Sequence, residues 1–237
     1  MITHLMRLTQ KDIKPIVEEF NSKLNSDHRY ASFDYCYNYF RTTSSKELLK
    51  DIEKSCLVLG FYLASWGMLR PSSFLLQKNV THFQKTIKYI ASLNKNIWSI
   101  DINNYSEKNM LTIIEIYQAI KSNIIEGRES DLTLITKIML GVFGFIPAFD
   151  QYFCDSFRKI FKHECGFRRV NTKSLELIKR FYIANKKEID KLSSKTFTTD
   201  FLTGKKTKIH YPKAKIIDMY GFTKGLRLAA IGRALKV

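Results

Sequence analysis

Glycine and proline are scarce in this sequence, and that scarcity restricts the folds open to it. The chain holds ten glycines and four prolines in 237 residues. Folds made of many short strands need both residues in quantity at their turns. Apolar residues instead recur at helical spacing, as in 10–25, where Ile13, Val17, Phe20 and Leu24 would share one face. We therefore predict an all-α, multi-helical fold.

The periodic segments predict about nine to eleven helices in a single helical domain, 1–237, which a groove could divide into two lobes. The segment ending near Trp66 is the most apolar and would be the central helix. A short hairpin or an extended basic loop is expected at 196–212, where Thr, Phe and Ile alternate. The predicted helices lie at about 10–25, 30–40, 47–66, 80–93, 107–125, 131–142, 147–162, 174–192 and 213–235.

Positive charge is concentrated in the last third of the chain. The formal charge is +17, and residues 156–237 carry 21 Lys and Arg against 6 Asp and Glu, a net +15. Residues 1–155 carry 18 and 16, a net +2. A polyanion is the usual partner of such a region, because each basic side chain placed on a phosphate releases counterions. The predicted partner is DNA or RNA, and an anionic membrane surface is the competing explanation.

The cysteines and apolar runs bear on compartment and cofactors. No C-x-x-C pair is present, and cysteines so placed in a long chain are typical of reduced thiols in an intracellular, here cytoplasmic, protein. The five histidines are scattered, so we expect no metal and no cofactor. The longest apolar stretch, 56–64, is too short to insert across a bilayer, and 1–12 holds no apolar run typical of a secretory signal. The cysteines are Cys36, Cys56, Cys154 and Cys165.

One candidate for chemistry lies in the segment 126–170. A polar turn and an apolar helix lead to Pro147, and Asp150 follows in the first turn of the next predicted helix. The helix dipole stabilises a carboxylate at that position. Its neighbours Phe149 and Phe153 are apolar, and a carboxylate at the edge of an apolar pocket is a candidate for acid–base or electrostatic work. A plain helix-start charge fits the same pattern.

This segment resembles the helix-hairpin-helix DNA glycosylases. In that family a hairpin between two helices binds DNA phosphates through backbone amides, and a catalytic Asp follows a proline about twenty residues later. The resemblance implies that 126–130 is the hairpin and that Asp150 is the catalytic carboxylate. Such a carboxylate stabilises an oxocarbenium-like sugar after the base has been flipped out of the stack. No Lys follows the hairpin directly, so the implied enzyme is a monofunctional glycosylase.

A second register places 140–148 on the family's hairpin, which makes Glu164 the catalytic candidate. Trp66, Phe145 and Tyr152 are candidate walls of a base pocket, and all three also fit a hydrophobic core. The candidate contacts to nucleic acid are Gly127, Arg128, Ser130, Lys137, Arg158, Lys159, Arg168, Arg169, Lys205 and Lys206.

Two other functions fit the sequence. Arg158 and His163 have an R-x4-H spacing that resembles the all-helical HEPN ribonucleases, in which Arg and His act together on RNA. A nucleic-acid-binding or regulatory protein without catalytic activity needs only the basic region. The last predicted helix, 213–235, is basic and partly apolar, so it could also lie on a membrane surface.

Overall fold

A computed structural model describes residues 8–25, 27–162 and 164–234. These residues form eleven α-helices and one two-stranded antiparallel sheet, which confirms the all-α, multi-helical fold. The elements are α1 (Ile13–Ser22), α2 (Ser32–Thr42), α3 (Ser45–Lys50), α4 (Ile52–Ser65), α5 (Gln84–Ser92), α6 (Glu107–Ile124), α7 (Leu132–Phe143), α8 (Gln151–Phe161), α9 (Thr172–Ala184), α10 (Lys186–Lys195), β1 (Phe197–Thr199), β2 (Lys206–His210) and α11 (Lys213–Ala234).

Two segments predicted as single helices are each two helices. The segment 47–66 is interrupted at Asp51, whose side chain accepts a hydrogen bond from the Lys54 amide at 3.1 Å and thereby starts α4. The segment 174–192 is interrupted at Asn185, which donates its side-chain amide to the carbonyl oxygens of Phe181 (2.8 Å) and Leu8 (3.0 Å). Capping by a polar side chain therefore competes with continuation of the helix at both positions.

The buried apolar side chains form one cluster that extends from Leu8 to Tyr220. Every residue from Leu134 to Asp150 is buried, and so is every residue from Ala214 to Gly221. The prediction that the helix ending near Trp66 is central was wrong, because α4 exposes Leu57 and Phe61 at the surface. The central helices are α7 and the first half of α11.

Two glycines bring α11 unusually close to α8. A methyl group at Gly225 would overlap the carbonyl oxygen of Tyr152, and one at Gly221 would overlap the ring of Phe153. Only glycine permits this approach, because any larger residue would force the two helices apart. The start of α8 therefore lies directly against α11.

The hairpin expected at 196–212 is present, with Phe197 opposite His210 and Thr199 opposite Lys206. Its base is held by Asp34 on α2, which accepts the Thr199 amide at 2.8 Å and the Tyr211 hydroxyl at 2.6 Å. Burial raises the pKa of Asp34, and the Tyr211 hydrogen bond opposes that rise. The hairpin is thus anchored to the helical core through β1 and the residue after β2, whereas its tip is exposed.

None of the described helices is long and apolar enough to cross a membrane. The helix α11 also departs from the expected surface helix, because its residues 214–221 lie inside the protein. Only its second half, from Leu226 onward, is largely at the surface.

Candidate functional site

Asp150 is the N-cap residue of α8, which begins four residues later than the predicted start at Pro147. Its Oδ1 accepts the Phe153 amide at 2.9 Å. The preceding helix, α7, ends at Gly144, which has a left-handed φ of 72°. The chain then runs through 145–149 inside the protein, and Asp150 itself is only 8% exposed.

Four charged side chains are buried together near Trp66, hereafter the buried charge cluster: Lys137, Asp150, Lys215 and Asp218. The Lys215 Nζ lies 3.0 Å from Asp218 Oδ2, and Asp218 Oδ1 accepts the Ala148 amide at 3.0 Å. The Lys137 Nζ donates to the Trp66 carbonyl oxygen at 2.8 Å. The cluster joins α7, α11, the start of α8 and the end of α4.

Aromatic rings surround the Lys215 ammonium. Its Nζ is 4.2 Å from the ring centroid of Trp66, 4.7 Å from that of Phe33 and 5.3 Å from that of Phe20. Ring faces attract a cation, and the attraction is stronger away from water. Tyr30 packs on the outer side, with its ring centroid 4.7 Å from Trp66 and 5.6 Å from Phe20.

Burial shifts the pKa values of two side chains in the buried charge cluster. Burial raises the pKa of Asp150 to about 6, and the nearby Lys137 ammonium limits that rise. Burial lowers the pKa of Lys137, while Asp150 and Asp218 oppose this shift. A carboxyl group that titrates near pH 6 can act as a general acid or base under physiological conditions.

The turn proposed as a phosphate-binding hairpin is exposed between α6 and α7 but is internally bonded. The Gly127 amide donates to Glu129 Oε2 at 2.8 Å, so a carboxylate of the chain occupies the position that a phosphate would take. Arg128 and Ser130 are exposed beside it.

The second register is contradicted by burial of the segment 140–148. Its backbone cannot reach a phosphate, and the Ala148 amide is already bonded to Asp218. Glu164, the carboxylate of that register, forms ion pairs with Arg180 at 2.7 Å and Lys173 at 4.0 Å. It lies in the turn after α8 and lines a surface cleft that contains no residue of the buried charge cluster.

Two predicted site residues need correction. Lys137, expected to contact nucleic acid, is buried and directs its ammonium group to the Trp66 carbonyl. Phe145, expected as a pocket wall, is fully buried and stacks on Phe143 with centroids 4.9 Å apart. Tyr152 is half-buried and packs edge-on against Phe222. Trp66 is buried, but it is the predicted wall residue that touches the buried charge cluster.

Arg158 is tied to its own surroundings. Its guanidinium donates to Asp155 Oδ1 at 2.7 Å and to the Gly166 carbonyl oxygen at 2.6 Å. His163, its predicted catalytic partner, lies outside the described residues. The other predicted basic contacts are exposed: Lys159, Arg168, Arg169, Lys205 and Lys206.

Sequence reasoning missed Lys215 and Asp218. The signal was a Lys and an Asp three residues apart within the apolar run Ala214–Gly221, where charges have no solvated face to occupy. Their burial as an ion pair follows from that pattern once α11 is known to be central.

Two clefts gather basic side chains from the C-terminal third. The first, about 660 Å³, lies among α9, α10, β2 and the start of α11, and Lys179, Lys186, Lys213 and His210 line it together with Asp190. The second, about 760 Å³, is lined by Lys159, Lys162, Lys224 and Glu164 among others. Asp150 lines neither cleft. The expectation of a catalytic Asp150 at a basic groove is therefore not met in this conformation.

No protein-family model matches the chain, and comparisons with curated proteins and with solved structures found no match. The function is therefore inferred from the residues and their geometry.

Replacing Asp150 by Asn should change how stability depends on pH. The folded protein binds the Asp150 proton more tightly than the unfolded chain, because burial raises the pKa from an ordinary value near 4 to about 6. The wild-type protein therefore loses up to about 3 kcal/mol as the pH rises through this interval. Asn keeps the N-cap hydrogen bond and cannot ionise.

Urea denaturation at pH 4 and pH 7 measures this effect. The free energy of unfolding of Asp150→Asn, minus that of the wild-type protein, should increase from pH 4 to pH 7. An equal difference at both pH values would show that Asp150 does not titrate in this range in the folded protein.

Proposed function

We propose that this protein binds nucleic acid through its C-terminal third. The observation that carries the proposal is a set of exposed basic side chains in 156–237 with no carboxylate of the described residues within ion-pair distance. The set consists of Lys159, Lys162, Arg168, Arg169, Lys187, Lys191, Lys195, Lys205, Lys206, Lys208 and Arg233.

Within 156–237, ion pairing separates this set from three lysines that have a carboxylate partner. Lys186, Lys213 and Lys224 each have a carboxylate partner, Asp190, Asp101 and Asp12 respectively. The carboxylate partner neutralises each of these three cations locally, whereas the unpaired cations repel one another. A polyanion removes that repulsion and releases its own counterions on binding.

A nucleic acid fits this surface better than a membrane does. The helix α11, which carries the basic and apolar pattern of an interfacial helix, is buried over residues 214–221 and cannot lie on a bilayer with that part. The unpaired Lys159 and Lys162 instead line the concave second cleft, which the phosphates of a nucleic acid strand can enter.

The salt dependence of binding tests this proposal. Affinity for a dye-labelled DNA duplex should fall steeply as the salt concentration rises. In Arg168→Ala/Arg169→Ala, the negative slope of log K against log salt should become shallower by about 1.8 if both residues contact phosphates. Fluorescence anisotropy at several salt concentrations measures the slope.

The matched control is Lys88→Ala/Lys108→Ala, which removes two exposed lysines outside the basic region. Its slope should equal that of the wild-type protein. An equal loss in both double variants would indicate attraction to net charge alone, and salt-independent binding would contradict phosphate contacts.

A second candidate function is base excision at Asp150, and the buried charge cluster is the observation that favours it. Removing four charges from water is costly, so such a cluster is found most readily where function needs it. An ionised Asp150 would stabilise the oxocarbenium-like sugar while the N-glycosidic bond breaks. The departing base would take a proton from water, and the hydroxide that remains would bond to the anomeric carbon. Asp150 is covered in this conformation, so substrate entry would require the surrounding side chains to move.

Release of free bases tests the second candidate. The protein would be incubated with undamaged, damaged and naturally modified DNA, and released bases would be measured by mass spectrometry. Loss of release in Asp150→Asn but not in Glu164→Gln would assign the reaction to Asp150. The reverse pattern would assign it to Glu164, and absence of release by the wild-type protein would contradict base excision on those substrates.

A further inference from the structure

A cleft of about 790 Å³ lies between α2, α4 and the tip of the β-hairpin, and it is separate from both basic clefts. Its walls carry four aromatic rings, from Tyr35, Tyr39, Phe61 and Phe201. We refer to it as the aromatic cleft. Tyr35 and Phe201 meet edge to face across it, with ring centroids 5.1 Å apart.

Three large apolar side chains at the aromatic cleft and the hairpin tip are highly exposed. Phe61 is 67% exposed, Phe201 71% and Leu202 88%. Single exposed apolar residues are ordinary, but three around one cleft form a patch of the kind that marks a binding surface.

Hydrogen bonds hold the hairpin tip in a defined shape. Asp200 Oδ1 accepts the Thr203 amide at 2.9 Å and the Thr203 hydroxyl at 2.8 Å. Gly204 occupies the left-handed region with φ 64°, and its amide donates to the Asp200 carbonyl oxygen at 3.0 Å. Together with the Asp34 anchor at the base, these bonds present Phe201 and Leu202 without further ordering, which lowers the entropic cost of binding.

The chemistry around the cleft indicates a nucleic acid as its occupant. Lys205, Lys206 and Lys208 follow the apolar tip directly and are exposed, while Arg29 and Lys54 line the cleft. Aromatic rings beside a row of cations are the usual means of holding single-stranded nucleic acid, because bases stack and phosphates pair with the cations. The acidic residues of the lining are Asp27 and Asp200, and Asp200 is already bonded within the tip.

A buried polar group in the lining also calls for a partner. Ser32 is 4% exposed and lines the aromatic cleft, and its hydroxyl has no hydrogen-bond partner among the described residues. A buried hydroxyl without a partner is unfavourable. The edge of a nucleobase carries the donors and acceptors that would satisfy it.

We propose that the aromatic cleft takes one unstacked base of a nucleic acid strand, stacked on its rings, while Lys205, Lys206 and Lys208 contact the adjacent phosphates. This inference rests on the proposed nucleic-acid binding and adds the position at which a base is read. The Ser32 hydroxyl bonds to the edge of that base.

The test measures binding of a dye-labelled single-stranded oligonucleotide by fluorescence anisotropy at several salt concentrations. Phe201→Ala/Leu202→Ala should bind about tenfold more weakly, because base–aromatic stacking is lost, with an unchanged salt slope. Lys205→Ala/Lys206→Ala should instead reduce the slope by about 1.4. The control Leu76→Ala/Leu111→Ala removes two apolar side chains that are 47% and 49% exposed elsewhere and should bind as the wild-type protein does.

A Ser32→Ala variant gives a second, independent measurement. It should bind the oligonucleotide more weakly while its melting temperature is unchanged or higher, because the orphaned hydroxyl is removed. A purely structural role for Ser32 would lower the melting temperature and leave binding unchanged, which would overturn its assignment to the base.

The remaining outcomes separate this inference from the proposed function. Wild-type affinity and slope in Phe201→Ala/Leu202→Ala would overturn the base site and leave phosphate binding intact. Absence of salt-dependent binding by the wild-type protein would overturn both. Vesicles of mixed neutral and anionic lipid test a membrane as the alternative partner. If only Phe201→Ala/Leu202→Ala loses vesicle binding, and its oligonucleotide binding is unchanged, the tip contacts a membrane and the base site is overturned.

Discussion

The close packing of α8 against α11 is the contact on which the interior of this protein depends. Gly221 and Gly225 let the two helix backbones approach, and Asp218, one turn earlier on α11, accepts the backbone amide of Ala148 just before α8. That hydrogen bond and the Lys215–Asp218 ion pair bring the charges of α11 to the start of α8, where Asp150 caps the helix. Burial at this contact raises the pKa of Asp150, and the charge of Lys137 limits that rise.

The basic residues of the chain divide into two populations with different physical roles. Lys137 and Lys215 lie inside, where a carbonyl oxygen, a carboxylate and aromatic rings replace the water that they lose. The unpaired cations of 156–237 lie at the surface, where no carboxylate of the described residues is within ion-pair distance, so they are available to phosphates. The surface population supports nucleic-acid binding, and the buried population supports the narrower possibility of chemistry at Asp150.

Much of the fold follows from local sequence, but the interior of the site does not. Helical periodicity, the scarcity of glycine and proline, and the Thr-rich alternation before Pro212 predict the helices and the hairpin. The proline before Asp150 predicts its place at a helix start. The break at Asn185 could not be predicted, because its side chain bonds to Leu8, far away in the sequence. The burial of Lys137 and the pairing of Asp218 with Ala148 likewise depend on tertiary contacts. A lysine in a helix looks the same in sequence whether it faces water or the core.

The central claim is that nucleic acid contacts the basic C-terminal third, and lysine footprinting tests it most directly. The protein would be acylated at its lysines with and without a bound oligonucleotide, and the modified sites would be quantified by mass spectrometry. Protection should concentrate on exposed lysines of 156–237, such as Lys159, Lys187 and Lys205, while exposed Lys88 and Lys108 should react equally in both samples. Protection confined to lysines outside 156–237, or no protection at an oligonucleotide concentration that saturates binding, would contradict the account.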